Sequence, residues 1–201
     1  MIAEARRVRL ESGATTIVEC WGDAGPAVLC VHGIASSRRD FARLGEALAS
    51  THRVFAYDQR GHGDAETAAP LTLAALVADL RAVADSIGTV AAVVGLSWGG
   101  AVALVGGPTV ARALVLVDPM IRVAPGTFEL DAGGWDLRDR LLALKIPATI
   151  LLAGIESVVA HDDLAQLSRT VRVERFDGHG HTLHRSAFER YADAVREAVP
   201  A

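Results

Sequence analysis

Residues 90–100 read VAAVVGLSWGG, an apolar run that ends in the pattern Gly-x-Ser-x-Gly around Ser97. The run predicts a buried strand, and AVALV at residues 101–105 predicts a short helix after it. A serine between such a strand and helix lies in a tight, strained turn, where a Cβ on the flanking glycines would collide with the packed backbone. The turn lifts the hydroxyl clear of the sheet and places the next backbone N–H beside it. We therefore predict that Ser97 is a nucleophile that attacks a carbonyl carbon.

Strands and helices alternate on both sides of this segment. Nearly continuous apolar runs predict strands buried on both faces of a parallel sheet at residues 27–33, 53–58, 111–118 and 148–154. A more alternating strand is predicted at 171–178, and a leading hairpin around 8–10 and 16–21. Helical spacing of apolar residues is found at 40–50, 71–87 and 188–199. This order predicts an α/β fold, a mostly parallel central sheet with helices on both faces.

The length and composition predict one globular domain over residues 1–201. Hydrophobic residues make up 51% and charged residues 22% of the chain, which is typical of a folded protein and not of a disordered one. No linker or repeat divides it. Residues 119–136 mix glycine, proline and acidic residues without a clear period, and we expect them to form a loop or a minimal lid.

Charge, cysteines and hydropathy exclude several classes of partner. The net charge is −4 with no lysine- or arginine-rich block, so we expect neither nucleic acid nor an anionic membrane as partner. Cys20 and Cys30 are too few for a disulfide framework and lack the spacing of a zinc site, so no metal or cofactor is expected. No signal peptide and no apolar run of about 20 residues is found, which favours a cytoplasmic protein, as a monomer or homodimer.

Several motifs, in the correct order, resemble the α/β-hydrolase family over nearly the whole chain. His32-Gly33-Ile34 is similar to the family's oxyanion turn, and Leu114–Pro119 to its sixth strand. The other matches are the Asp-x-Arg-Gly-His-Gly segment at 58–63, the serine turn at 95–99 and Gly-x-Gly-His at 178–181. The resemblance implies a small, nearly capless serine hydrolase of the esterase type.

The resemblance also implies roles for individual residues. His181 matches the position of the family's general base, in a glycine-flanked loop after the last strand. The backbone N–H groups of Ile34 and Trp98 match the two donors of the oxyanion hole. His32 and His62 match positions that shape the loops, and we assign them no chemistry.

The acid departs from the family pattern. The family usually carries it in a Gly-x-x-Asp pattern after the seventh strand, where this chain has Gly154-Ile155-Glu156-Ser157. Asp118, at the end of the preceding strand, lies where some members carry the acid instead, and Glu156 is an alternative one residue early. A site without a functional acid is the third possibility.

These residues predict a hydrolase of carboxylic esters, thioesters or lactones that takes a small-molecule acyl substrate without a cofactor. The same groups would serve to cleave an amide or a carbon–carbon bond beside a carbonyl. A degenerate hydrolase that only binds small molecules is a further alternative, and Ser157 in place of the acid is the feature in its favour.

Overall fold

Among residues 4–67, 69–127, 134–164, 167 and 171–200, which the computed structural model describes, eight strands form one sheet and two form a separate ribbon. In chain order the strands are β1 Glu4–Arg9, β2 Thr15–Trp21, β3 Ala27–Val31, β4 Arg53–Tyr57, β5 Val90–Leu96, β6 Ala111–Val117, β7 Arg122–Val123, β8 Trp135–Asp136, β9 Ala148–Ala153 and β10 Val171–Phe176. The sheet has the order β1-β2-β4-β3-β5-β6-β9-β10, and β7 pairs with β8 in the ribbon.

The sheet is parallel except at one edge. β1 is antiparallel to β2 and β2 to β4, while all pairs from β4 to β10 are parallel. β5 lies between β3 and β6, and Gly95 near its end is in register with Val31 and Leu116. The carboxyl ends of these strands meet at one edge of the sheet, where ligands bind in open α/β sheets.

Helices cover both faces of the sheet. They are α1 Ala42–Leu48, α2 Leu73–Ile87, α3 Trp98–Gly106, α4 Arg138–Leu142, α5 Leu183–Ser186 and α6 Phe188–Ala198. The core accordingly falls into two apolar clusters. Leu29 and Val93 point towards α2, α3 and α4, whereas their chain neighbours Cys30 and Val94 point towards α1 and α6, because side chains alternate along a strand. β5 is buried over its whole length for this reason.

The predicted fold class is confirmed, and the predicted strands and helices are found with shifted ends. The differences lie where the apolar pattern is weak. β1 begins at Glu4, four residues before the predicted hairpin strand, because an edge strand keeps most of its side chains in solvent and lacks a buried-strand signature. The short helices α4 and α5 were not predicted, since one turn or so gives too few residues for a period.

The segment at 119–136 forms a short ribbon in its described part. β7 and β8 pair antiparallel, and residues 128–133 lie outside the described residues. The Trp135 ring packs edge-on against Trp98 at 4.8 Å between centroids, and its Nε1 donates to the Met120 carbonyl at 2.8 Å. Strands of two residues are too short to give a period, which is why the sequence indicated only a loop or minimal lid.

No helix in the described part of the chain is long and apolar enough to cross a membrane.

Candidate active site

Ser97 lies in a strained turn between β5 and α3. Its backbone has φ 53° and ψ −113°, a left-handed value of φ that L-residues rarely adopt. Backbone hydrogen bonds hold it there. The Ser97 N–H donates to Val117 at 2.9 Å, and its carbonyl accepts from Gly100 at 2.9 Å and Met120 at 3.0 Å. The strained conformation of Ser97 is therefore held by hydrogen bonds to β6 and to the segment after it.

The glycines of the turn are required by close approach of backbone. A Cβ at Gly95 would lie 2.4 Å from the Gly99 carbonyl oxygen, and a Cβ at Gly99 would lie 2.2 Å from the oxygen of Val31. Larger residues would thus force β3, β5 and α3 apart. The sequence pattern and the packing have the same physical cause.

Ser97 and His181 line one pocket of about 290 Å³. The pocket lies at the carboxyl ends of β5 and β6, and the His181 side chain is 33% exposed. The described part of the chain contains no hydrogen bond between Ser97 and His181. Catalytic hydrogen bonds often tighten only with substrate, so shared access to one pocket is the relevant geometry.

Asp118 lies against His181. Nδ1 of the imidazole is 2.6 Å from Asp118 Oδ2, which leaves the other ring nitrogen for chemistry in the pocket. Asp118 follows β6 with φ 41° and is fully buried. Glu156, the alternative acid, is exposed and forms no hydrogen bond or ion pair with His181 among the described residues.

Three further donors surround the Asp118 carboxylate. Ser157 Oγ donates to Oδ1 at 2.6 Å, the Ala153 N–H to Oδ1 at 3.1 Å and the Val158 N–H to Oδ2 at 3.1 Å. Burial raises the pKa of Asp118, but the hydrogen bonds from His181, Ser157 and the two backbone groups outweigh it and hold the pKa below its ordinary value. The carboxylate is therefore ionised at neutral pH.

Ser157, which stands where the family usually carries its acid, contacts the carboxylate of Asp118. It lies just after β9, the neighbour of β6, so the chain places it beside the end of the strand that carries Asp118. A serine hydroxyl there serves as a donor to the acid on the next strand. Sequence reasoning missed this contact, although a polar residue at the usual acid position was the available signal.

Two histidines brace the turn that carries Ile34. His32 is buried, accepts the Gln59 N–H through Nε2 at 2.9 Å and donates from Nδ1 to the Gly33 carbonyl at 2.7 Å. Burial lowers the pKa of His32 to about 4, which matches the neutral imidazole that these two contacts require. His62 Nε2 accepts the N–H of Ala35, whose φ is 54°.

The two predicted oxyanion residues contribute their side chains differently. Ile34 lines the pocket. The Trp98 ring is buried and packs against Trp135, so only its backbone position, directly after Ser97, bears on the site.

The opposite wall of the pocket is polar, and the sequence did not predict it. Asp40 accepts a hydrogen bond from Arg185 at 2.6 Å and another from Ser36. His184 Nε2 lies 3.5 Å from the same carboxylate and its side chain is only 9% exposed. No motif in the sequence points to these residues, because 36–40 and 184–185 are distant in the chain and come together only in the folded protein.

Within the described ranges no group of three or more histidine, cysteine or acidic side chains is arranged to hold a metal ion.

The fold and the strained serine define the class to which this protein belongs. A model of the Alpha/beta hydrolase family matches residues 28–152, which run from within β3 to within β9 and include the serine turn. The chain is a member of the alpha/beta hydrolase family.

Two of the relatives by sequence are named as lipases. The chain is 40% identical over 109 residues to "Lipase LipV" of Mycobacterium tuberculosis, a match that covers 52% of this chain and 41% of the relative. It is 35% identical over 104 residues to "sn-1-specific diacylglycerol lipase ABHD11" of Mus musculus, covering 48% and 34%. The matches thus span well under half the length of these relatives.

Solved structures share the fold at low identity. An esterase from Exiguobacterium antarcticum superposes with a TM-score of 0.84 at 15% identity, over 96% of this chain and 98% of that one. Such a likeness shows the fold alone.

Proposed function

We propose that this protein is a serine hydrolase that cleaves a carboxylic ester-type bond, in an ester, a thioester or a lactone, through an acyl-enzyme. The observation that carries the proposal is the 2.6 Å contact of Asp118 with His181, a histidine that shares a pocket with the strained Ser97. Acyl transfer needs a nucleophile, a base and a group that orients the base, and these residues supply all three.

Acylation begins with attack of Ser97 Oγ on the acyl carbon. The hydroxyl proton passes to Nε2 of His181, and the resulting imidazolium is stabilised by the ionised Asp118 at Nδ1. Asp118 does not itself take the proton. Its hydrogen bond also fixes the imidazole in the tautomer whose Nε2 can accept.

The tetrahedral intermediate carries a negative oxygen that needs preorganised donors. In this proposal the backbone N–H groups of Ile34 and Trp98 supply them. The contacts of His32 and His62 support this assignment, because they hold the turn that carries Ile34 in one conformation.

Collapse of the intermediate expels the alcohol or thiol, which takes the proton from His181 Nε2. Water then attacks the acyl-Ser97 ester and gives its proton to His181. The second collapse releases the carboxylic acid and returns the proton to Ser97.

The size of the pocket favours a small acyl group. Its volume is about 290 Å³, at the low end of ligand pockets. None of the described residues between 119 and 136 lines it, which supports a thinly covered site in which that segment braces Trp98.

The contact of Ser157 with Asp118 weakens the alternative of a protein that only binds small molecules. That alternative depended on Ser157 in place of an acid, and in the structure Ser157 donates to an acid on the neighbouring strand. A pure binder has no need of a strained serine supported by three backbone hydrogen bonds.

Hydrolysis of 4-nitrophenyl acetate by matched variants tests the proposal. Ser97→Ala should abolish turnover, and His181→Ala should leave a small residual rate that no longer rises with pH, since only the neutral imidazole acts as a base. Ser12→Ala, in the exposed turn between β1 and β2, is the control and should keep wild-type turnover. Undiminished turnover in a folded Ser97→Ala protein would refute the assignment of the nucleophile.

A further inference from the structure

A second cavity adjoins the pocket that contains Ser97. It has a volume of about 230 Å³ and is lined by Arg39, Asp40, Ala42, Arg43, His184 and Arg185. Asp40, His184 and Arg185 line both cavities, so the two adjoin at these residues. We call the second cavity the arginine cleft.

All three arginines of the cleft are exposed, and two of them, Arg39 and Arg43, have among the described residues only long ion pairs with carboxylates that are themselves exposed. The side chains of Arg39, Arg43 and Arg185 are 73%, 61% and 65% exposed. Arg39 lies 3.6 Å from Asp64, and Arg43 lies 3.4 Å from Glu189, whose side chain is 87% exposed. Exposed pairs of this length contribute little and exchange readily. Both guanidinium groups are therefore available to another anion.

Asp40 holds the third arginine at the junction of the two cavities. Its carboxylate accepts from Arg185 at 2.6 Å. Burial raises the pKa of Asp40, but the nearby His184 imidazole and hydrogen bonds from Ser36 and Arg185 outweigh it and hold the pKa well below its ordinary value. Asp40 thus stays ionised and orients Arg185. Three arginines and one carboxylate line the cleft, because Asp64 and Glu189, the partners of Arg39 and Arg43, lie outside its lining. The lining therefore carries more positive than negative charge in a chain whose net charge is −4.

The position of the cleft relates it to one side of the substrate. In the proposed reaction His181 returns its proton to the leaving oxygen or sulfur, so the leaving group must lie beside His181. Arg185 follows His181 by four residues, in α5, and Thr182 and His184 between them also line the pocket. A group attached to the leaving alcohol or thiol therefore extends towards the arginine cleft.

We infer that the arginine cleft binds a carboxylate or phosphate carried by the alcohol or thiol part of the substrate. The inference deepens the proposed function and depends on it. A guanidinium offers paired N–H donors that match two oxygens of either anion, and it keeps its charge at any physiological pH. The substrate class is thus an ester or thioester whose leaving group is anionic.

Three acetate esters with the same acyl group test the inference. They are the acetates of phenol, of 3-hydroxybenzoate and of 3-hydroxyphenyl phosphate, whose leaving groups carry hydrogen, a carboxylate or a phosphate at the same ring position. The double variant Arg39→Gln, Arg43→Gln should lower kcat/KM for one or both anionic esters about tenfold, mainly through KM, and should leave the neutral ester within about twofold. A larger loss for the carboxylate or for the phosphate ester identifies which anion the cleft prefers.

A matched double variant controls for total charge. Arg7→Gln, Arg9→Gln removes two exposed arginines from β1, the edge strand of the sheet on the far side from β6. It should leave kcat/KM for all three esters unchanged. Raising the salt concentration should lower kcat/KM of the wild-type protein for the anionic esters relative to the neutral ester. The same increase should have less effect on the double variant Arg39→Gln, Arg43→Gln.

Two results would overturn the inference without touching the proposed function. One is an equal change for the neutral and anionic acetates in the cleft variant. The other is a loss found only with 4-nitrophenyl hemisuccinate and not with 4-nitrophenyl butyrate, which would place the anion on the acyl side. Failure of the wild-type protein to hydrolyse any of these esters, including the neutral ones, would refute the proposed function itself.

Discussion

Two fully buried aspartates lie at the carboxyl ends of parallel strands, and they are held in different ways. Asp58 follows β4 and accepts the N–H groups of Arg38 at 2.8 Å and Asp64 at 2.9 Å, together with the Arg38 guanidinium. Asp118 follows β6 and accepts two backbone N–H groups, the Ser157 hydroxyl and the imidazole of His181. Both carboxylates are saturated with donors, but only one has a permanently charged partner.

The difference separates a structural carboxylate from one suited to catalysis. The charge of Asp58 is matched by Arg38 at every physiological pH, and its carboxylate holds the backbone at residues 38 and 64 in place. In the described part of the chain no arginine or lysine contacts Asp118, and its cationic partner is an imidazole that gains and loses a proton. Its charge therefore remains available to stabilise the imidazolium when that ion forms.

The largest effect should come from Asp118→Asn. The amide keeps the shape but removes the charge and favours the wrong imidazole tautomer, so turnover of 4-nitrophenyl acetate should fall by about 10⁴-fold, the loss measured for the corresponding change in a serine protease. Steady-state kinetics on protein with an unchanged circular dichroism spectrum is the measurement.

Glu156→Gln is the matched control for that variant. It removes an exposed carboxylate that forms no hydrogen bond or ion pair with His181 among the described residues, so turnover should stay within about twofold of wild type. A large loss in Glu156→Gln with normal activity in Asp118→Asn would transfer the role of acid to Glu156.

Whereas Asp118→Asn should mainly lower turnover, Asp58→Asn should mainly lower the free energy of unfolding. It leaves the buried Arg38 without its closest anion, which typically costs about 3–5 kcal/mol, and we expect about 3 because Glu19 and Asp64 still contact the guanidinium. Turnover per folded molecule should fall at least a hundredfold less than in Asp118→Asn. Urea unfolding gives the free energy of unfolding, and unchanged stability with a 10⁴-fold loss of turnover would remove the distinction between the two aspartates.

Ser157→Ala should have a smaller effect on the same carboxylate. Asp118 keeps its backbone donors and His181 but loses the 2.6 Å hydrogen bond, so kcat should fall about tenfold with KM unchanged. Ser157→Thr keeps the hydroxyl and should restore most of the loss. Equal activity in the alanine and threonine variants would show that the hydroxyl has no part in positioning the acid.

A second use of Ser157 tests whether the acid can move between strand ends. Ser157→Asp in the Asp118→Asn background places a carboxylate at the family's usual position. Turnover should recover in part, by about tenfold or more over Asp118→Asn alone. No recovery in a folded double variant would mean that the end of β9 cannot orient His181 in this chain.

The smallest expected effect is the pH dependence of the contribution that Asp118 makes to the free energy of unfolding. Since the folded-state pKa of Asp118 lies below its unfolded value, its contribution is fully present above the unfolded pKa of about 3.9 and is lost as pH falls through the lower folded value. The stability difference between wild type and Asp118→Asn should therefore shift against wild type as pH falls from about 5 to 2. Thermal unfolding across that range would show a constant difference if the hydrogen bonds did not favour the charged carboxylate.

The serine turn and the alternation of strands and helices could be predicted from sequence because their causes are local. Gly95 approaches the Gly99 carbonyl closely, and this requirement appears in the sequence as the Gly-x-Ser-x-Gly motif. The burial of β5 on both faces appears as a continuous apolar run. The position of β5 between β3 and β6 was not predicted. β4 precedes β5 in the chain but lies on the other side of β3, and such a change of strand order leaves no pattern in the sequence.

The polar contacts of the site could not be predicted because they join distant parts of the chain. Asp118 and Ser157 are 39 residues apart and Asp40 and Arg185 are 145 apart, and each pair meets only where strand or loop ends converge. The sequence left three alternatives for the acid. The geometry around His181 favours one of them, because a contact distance distinguishes residues that a motif cannot.

The most direct test of the central claim is covalent labelling with a fluorophosphonate probe, followed by mass spectrometry of the peptides. Ser97 Oγ should attack the phosphorus and expel fluoride, so the wild-type protein should carry one label, on the peptide that contains Ser97. Ser97→Ala should carry none, and Asp118→Asn should label much more slowly than Glu156→Gln. A label on another residue, or an unlabelled protein that still hydrolyses 4-nitrophenyl acetate, would contradict the claim that Ser97, His181 and Asp118 work as one unit.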